Sequence, residues 1–484
     1  MAPVPPRQAT GVPAALLVGS MIALLAMTSV WLFSRPDGQR RLNALSSSNA
    51  PARGIGSAKL RRALLRTGML ALYPAVESSR GGSSPDCADL LIGVGPADPA
   101  KLPSNEHAPA EWRDSRSPGL PGLSLVVDPC RWRRLLSRPL AHGRDTEEVA
   151  WVSVFEGGAL RQASAVGVRI HGGSTRRLRP PSLRLYARPE YGSEKFPATL
   201  LEANGSEGGT GFERLILNRD EFSDRRRRRW LFPEAITYDV ARRLGARVPA
   251  TRVALLSLGG EAPWAVVLTE APGPQALERR FPGHRLESFR LKRPAGSPDD
   301  RRRLALLRQI RTAPAPLSMA WADDRFDLEE LLSGISAALI CGTGEPFQGM
   351  TFRDTEGRLL GGRWTWLQWD LDQSFSDPPH LQRRGGRAIG DLFARHGAGL
   401  GQPAALLTSR LLNEEPRFRA RLARRLRRAL DQQATPSFLA ALVARYADFA
   451  RRAGIGDQAT FSELARFFAA RPAHLRQQIS EVLD

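Results

Sequence analysis

The chain has 484 residues, of which 42% are hydrophobic and 25% charged. That length exceeds one ordinary core and suggests about two to three units, and the composition excludes a fibrous or wholly disordered chain. The formal charge of +21 rests almost entirely on arginine, since only Lys59, Lys101, Lys195 and Lys292 are lysines. Such a field attracts phosphate, anionic lipid or acidic protein. The arginines are dispersed without interleaved aromatics, which disfavours nucleic acid as the partner. Three cysteines without CxxC spacing, Cys87, Cys130 and Cys341, argue against a zinc site or a disulfide framework, although one pair is free to bond.

Residues 1–10 form a tail, and residues 11–33 read GVPAALLVGSMIALLAMTSVWLF with no charge. As a helix this stretch spans about 34 Å, enough for a hydrocarbon core of about 30 Å. Trp31 and the flanking Arg7, Arg35, Arg40 and Arg41 suit the two interfaces. The stretch favours a retained single-pass membrane anchor over a cleaved leader, with the side of the main domain left open. Residues 34–118 are rich in Ser, Gly, Pro and Ala and read as a tether, with Leu60–Leu72 a short amphipathic helix.

From about residue 119 the texture becomes globular. Leu123–Asp128 reads as a buried strand, and Trp151–Gly158 alternates into a Gly-Gly turn. Val166, Val168 and Ile170 alternate before Gly172-Gly173, and Leu183 with Leu185 share a face. Arg214–Asn218, Arg252–Leu258 and Ala262–Glu270 are further strands, with a helix at Pro233–Leu244. After about residue 300 the pattern turns helical. Leu328, Leu331, Leu332, Ile335 and Leu339 line one helix face. Alternation returns in 350–375, where Asp370 and Asp372, two apart, would share a strand face. Phe418, Leu422, Leu426 and Leu430 form a stripe on an arginine-covered helix, Thr435-Pro436 opens the next helix, and Thr460 with Glu463 reads as a capping box. β-rich first and helical second is the pattern of an α+β protein with two lobes.

Six segments in this order resemble the CotH-like (spore coat protein H) kinase family. They are PGLSLVVDPCRWRRLLSRP, GVRIHGGSTRR at 167–177, YARPEYGSEKF, DLEELLSGISAALI, RWTWLQWDLDQSF at 363–375, and FFAARPAHLRQQI. The resemblance implies a bilobal atypical protein-kinase-like fold over 119–484, with a β-rich lobe at 119–275 and a mainly helical lobe at 276–484. It also implies ATP and Mg²⁺ as cofactors and Ser or Thr of a partner protein as acceptor; the oligomeric state stays open.

By that resemblance Gly172, Gly173 and Ser174 cover the nucleotide phosphates, where glycine lets backbone N–H groups approach. Asp370 and Asp372 hold the metal, Glu270 stands at the hinge between lobes, and Lys292 follows it. Two departures stand out. The family's K-K-S is here Arg179-Pro180-Pro181-Ser182, so arginines of the hairpin, among them Arg169 and Arg184, would carry the phosphate charge. The family's D-x-x-x-x-N loop is here Gly342–Gln348; Gly344 or Glu345 falls opposite the aspartate, with Glu345 as candidate base and Gln348 opposite the asparagine. Three functions are therefore in play: an atypical Ser/Thr protein kinase, a catalytically impaired pseudokinase or structural surface protein of the same fold, and an arginine-rich module binding an acidic polymer or lipid surface.

Overall fold

The structure is a computed structural model. It describes residues 120–157, 159–178, 180–192, 194–202, 211–219, 221–223, 229–259, 263–291, 295–343, 347–375, 401–455 and 458–483, all within the unit Ser83–Asp484. The apolar stretch 11–33 and the tether 34–118 lie outside these residues. Among the described residues no helix is long and apolar enough to cross a membrane.

The alternating segments form strands where expected. β1 (Gly122–Val127) runs into α1 (Pro129–Ser137), where Asp128 caps the helix by accepting from the amides of Cys130 and Arg131. β2 (Glu148–Glu156) and β3 (Ala159–Ile170) form a long hairpin, followed by β4 (Leu183–Tyr186) and β5 (Arg214–Asn218). A small ribbon, β6 (Glu221–Ser223) with β7 (Arg229–Leu231), precedes α2 (Pro233–Arg243). Then come β8 (Thr251–Leu258) and β9 (Trp264–Glu270). Seven strands close a barrel in the order β1-β2-β3-β4-β5-β9-β8, and parallel pairing of β1 with β8 makes the seam.

Two cores share these strands. Leu125, Val152, Val168, Leu185, Leu215 and Leu268 fill the barrel. Val253, Leu255, Ala265 and Val267 face the other way, onto Ile236 and Val240 of α2 and the helical half of the molecule. Because both faces of β8 and β9 are covered, these strands read as near-continuous apolar runs.

The helical half starts with α3 (Pro274–Arg280), β10 (Leu286–Arg290), α4 (Pro298–Arg311) and α5 (Met319–Arg325). At its centre lies α6 (Leu328–Cys341), buried on nearly every side. Asp327 caps its start, and Gly342, at φ +60°, ends it in the left-handed conformation that glycine adopts cheaply. β11 (Gly349–Asp354) and β12 (Thr365–Gln368) complete a three-stranded sheet with β10. Four helices finish the chain: α7 (Pro403–Glu414), α8 (Pro416–Arg428), α9 (Pro436–Arg452) and α10 (Gln458–Val482). Phe418, Leu422 and Leu426 are the buried stripe of α8, and Thr435 caps α9.

Two expectations are corrected here. Thr460 does not open a helix, because α10 already begins at Gln458. The strand carrying Trp366 stops at Gln368, so Asp370 and Asp372 do not share a strand face. Cys341 is a buried free thiol, and Cys130 is disulfide-bonded.

One arginine fastens the barrel to the helical half. Arg247, in the link between α2 and β8, donates its backbone N–H to the Glu330 carboxylate at 2.9 Å. Its Nη1 reaches Asp327 at 2.9 Å, Glu330 at 3.1 Å and Thr365 Oγ1 at 2.9 Å. Its carbonyl accepts from the Gln368 amide at 2.8 Å.

Candidate active site

β3 leaves the barrel at Ile170 and enters the glycine-rich turn. Gly172 takes φ +111°, a conformation rare for residues with a Cβ. Ser174–Arg177 then forms a short 3-10 turn. Arg176 holds this turn down by donating to the carbonyls of Ile170 (2.5 Å), Pro139 (2.5 Å) and Ala141 (2.8 Å). A Cβ built at Gly173 meets nothing within 4 Å, so the backbone there borders open space.

His171 sits at the root of the turn, its amide donating to the Ser182 carbonyl at 2.7 Å. Lost hydration, with the Arg184 and Arg176 guanidiniums adding to it, pushes its imidazole well below the usual histidine range. The neutral ring accepts from Arg184 Nη2 at Nδ1, 3.1 Å away, which assigns its proton to Nε2. Burial also lowers Arg184, but a guanidinium stays charged.

The acidic segment arrives from the other half. The Trp369 ring lies 6.3 Å from the His171 ring, centroid to centroid. Asp370 follows in a left-handed conformation, φ +66°. Its amide donates to Glu234 Oε1 at 3.2 Å and to the Tyr238 hydroxyl oxygen at 3.3 Å. Glu234, in the first turn of α2, also accepts from Tyr238 OH at 2.5 Å and from Asn218 Nδ2 at 2.7 Å. Asn218, at the end of β5, accepts in turn from Ser182 Oγ at 3.1 Å. Burial and the Glu234 carboxylate hold the Tyr238 phenol well above its normal range, so it remains a donor.

Leu371 is buried, which leaves its half-buried neighbours Asp370 and Asp372 outside the core. The segment ends at Phe375, also left-handed at φ +64°, whose amide donates to the Cys341 carbonyl at 2.7 Å. Its ring packs edge-on against Phe467 and Phe468 of α10, at 5.6 and 5.5 Å. From the same helix Arg471 donates to the Leu339 carbonyl at 2.8 and 2.6 Å. The arginine of the Arg-Pro pair thus caps the C-terminal turn of α6.

Gln348 is buried, and its carbonyl faces the Trp369 amide at 3.4 Å. The structure therefore brings Gly172, Gly173 and Arg184, around His171, near Trp369, which precedes Asp370 in the chain and donates its amide to Gln348; Asp372 lies two residues further on. Ser174 joins them by its backbone only, since its side chain lies outside the described residues, as do Glu345 and Lys292 entirely.

Two expected residues are spent elsewhere. Arg169 pairs with the buried Glu147 at 2.6 Å and covers the Tyr186 ring at 4.5 Å. Glu270 is no hinge group open to a ligand. It is buried against Arg279 (2.5 Å) and Arg280 (2.6 Å) and accepts from the Ala250 amide at 3.3 Å. Burial raises its pKa, but the guanidiniums of Arg280 and Arg279 outweigh that and hold it below the ordinary value. Glu270 pairs with Leu215, whereas the network begins at Asn218, about 10 Å further along β5. His171, Asn218, Glu234 and Tyr238 are the site residues that sequence reasoning missed. Only Glu234 left a trace, and an acid in a first helical turn is too ordinary a pattern to single it out.

Among the described residues no group of three or more His, Cys, Asp or Glu is arranged to hold a metal. Mg²⁺ arriving with a triphosphate would suit Asp370 and Asp372, since it takes one or two carboxylates and fills its remaining positions with other oxygens and water. The open space at Gly173 and the cationic Arg184 suit the phosphates.

Comparison with known proteins finds a family likeness in the second half of the chain. Residues 292–481 match the family model described as CotH kinase protein. The matched span is CotH-like, and it holds the acidic segment and the closing helix α10. A solved structure of the Helicobacter pylori proinflammatory kinase CtkA is similar at 10% identity, covering 68% of this chain and 91% of that one, with a TM-score of 0.25. No curated protein matches.

Proposed function

We propose that this protein is a nucleotide-dependent phosphotransferase of bilobal, kinase-like build, with the barrel as the smaller lobe and the helical half as the larger. What carries the reading is one contact, the approach of the His171 and Trp369 rings to 6.3 Å. It sets the glycine-rich turn beside the acidic segment, the pairing that phosphoryl transfer requires. Mg²⁺, held by Asp370 and Asp372, would supply positive charge against the charge that develops in transfer. For their part, the Gly172-Gly173 backbone would receive phosphate oxygens, Arg184 would supply positive charge in place of the family's lysine pair, and Asp370 with Asp372 would hold the metal. Gln348 would steady the acidic segment from below. The acceptor would be a Ser or Thr hydroxyl of a partner protein. The uncharged stretch 11–33 supports tethering of this activity to a membrane.

Incubating the protein with γ-labelled ATP and Mg²⁺ tests the reading. Labelling of itself or a generic acceptor protein, abolished in D370N, is the expected result. No labelling above D370N, with ATP binding intact, would instead establish a nucleotide-binding pseudokinase. Pro180-Pro181 favour that second reading, since proline offers neither charge nor an N–H where the family has lysines.

A further inference from the structure

We infer that Glu234 is a positioning residue for the acidic centre, holding the Asp370 backbone and coupling it to the strand that follows the glycine-rich turn. Its consequence for ligand binding rests on the phosphotransfer reading above; its structural content does not.

Glu234 has features that an ordinary helix-start acid lacks. Such acids usually lie at the surface, where they favour the helix dipole at little cost. Glu234 is 4% exposed. Burying a carboxylate is costly unless donors surround it. Three donors from three separate segments converge here: Asn218 Nδ2 from β5 at 2.7 Å, Tyr238 OH from α2 at 2.5 Å, and the Asp370 amide at 3.2 Å. The last is a backbone group of a residue held at φ +66°. A non-glycine residue keeps that conformation only where its surroundings hold it there. Phe232, two residues before Glu234, is also left-handed at φ 58° and buried, so strain gathers on both sides of this contact.

The links continue toward the turn. The His171 amide donates to the Ser182 carbonyl at 2.7 Å, Ser182 Oγ to Asn218 Oδ1 at 3.1 Å, and Asn218 Nδ2 to Glu234. The root of the glycine-rich turn and the backbone of Asp370 are thus joined by four hydrogen bonds centred on one carboxylate. Glu234 acts through Asp370; it is placed to set where that residue stands rather than to touch a substrate.

The test uses the full-length protein with E234Q and E234A. Hydrogen–deuterium exchange of the 367–375 segment is read beside that of the β2–β3 hairpin, and Mg-ATP affinity is measured by calorimetry. E234A is expected to speed exchange of 367–375 by about tenfold or more while the hairpin stays unchanged. E234Q should do so less, because its amide oxygen still accepts from the Asp370 N–H. Mg-ATP affinity should fall in the same order. Unaltered exchange of 367–375 in both variants overturns the inference, and so does acceleration spread evenly over the protein. Wild-type protein that binds no Mg-ATP overturns the phosphotransfer reading, while the exchange result still decides the role of Glu234.

Discussion

Asp370 and Phe375, five positions apart inside the acidic segment, both hold φ near +65°. Each such residue costs roughly 1–3 kcal/mol, and strain of this kind gathers where function over-determines the backbone. Here the opposing bonds are visible: Glu234 and Tyr238 on the Asp370 amide, and the Cys341 carbonyl on the Phe375 amide. Arg184 is the residue-level counterpart on the other wall. It leans on neutral His171, whereas Arg169 on the neighbouring strand is already neutralised by Glu147. Arg184→Met should therefore weaken Mg-ATP binding at least tenfold, with Arg184→Lys intermediate because a point charge replaces a planar fork. Arg169→Met should act mainly on stability. Calorimetric titration set beside thermal unfolding separates the two.

Glycines show how elements are held together around the site. Gly349 opens β11 at φ +134°, and a Cβ there would lie 2.2 Å from the Leu367 carbonyl oxygen on β12. Gly349→Ala should destabilise by roughly 2–5 kcal/mol through overpacking and backbone strain together, measured by urea unfolding. Gly173→Ala is the contrast: nothing surrounds its Cβ position, so stability should change by less than about 0.5 kcal/mol even if phosphate binding is lost.

The barrel strands were legible in the sequence because apolar residues alternate there, and β5 lies where Arg214–Asn218 predicts it. The alternation of Trp364 and Trp366 gave no warning that the strand ends at Gln368, since a left-handed aspartate leaves no mark on a period of two. Glu270 misled for a related reason. The resemblance sets it at the hinge between lobes, and only the fold brings Arg279 and Arg280 onto its carboxylate. The Ser182–Asn218–Glu234 links join three elements, and no spacing rule reaches across them.

At the scale of the whole molecule, Arg247 is the bolt between barrel and helical half. Two carboxylates, Asp327 and Glu330, share its one guanidinium. Burial, only partly offset by Arg247, pushes the Glu330 carboxyl up to about 8. The folded protein then binds a proton that the unfolded chain releases near its ordinary value of 4.5. The contribution to stability is complete below about pH 4.5 and is lost as pH rises through about 8. Glu330→Gln should flatten this decline, leaving the variant more stable than wild type at pH 9 relative to pH 5 by up to a few kcal/mol. Thermal unfolding across that range reads it directly.

The seam of the barrel sets an order on biosynthesis. Gly122 of β1 finds its parallel partner at Leu255 of β8, so the first strand to leave the ribosome waits for nearly the last of the seven. Until then β1 offers a bare row of amides and carbonyls, the kind of edge that recruits strands from other chains. A nascent chain stalled before residue 255 carries its phosphate-turn hairpin already paired and its rim unsealed, which makes premature termination in this stretch a route to aggregation rather than to a smaller working domain.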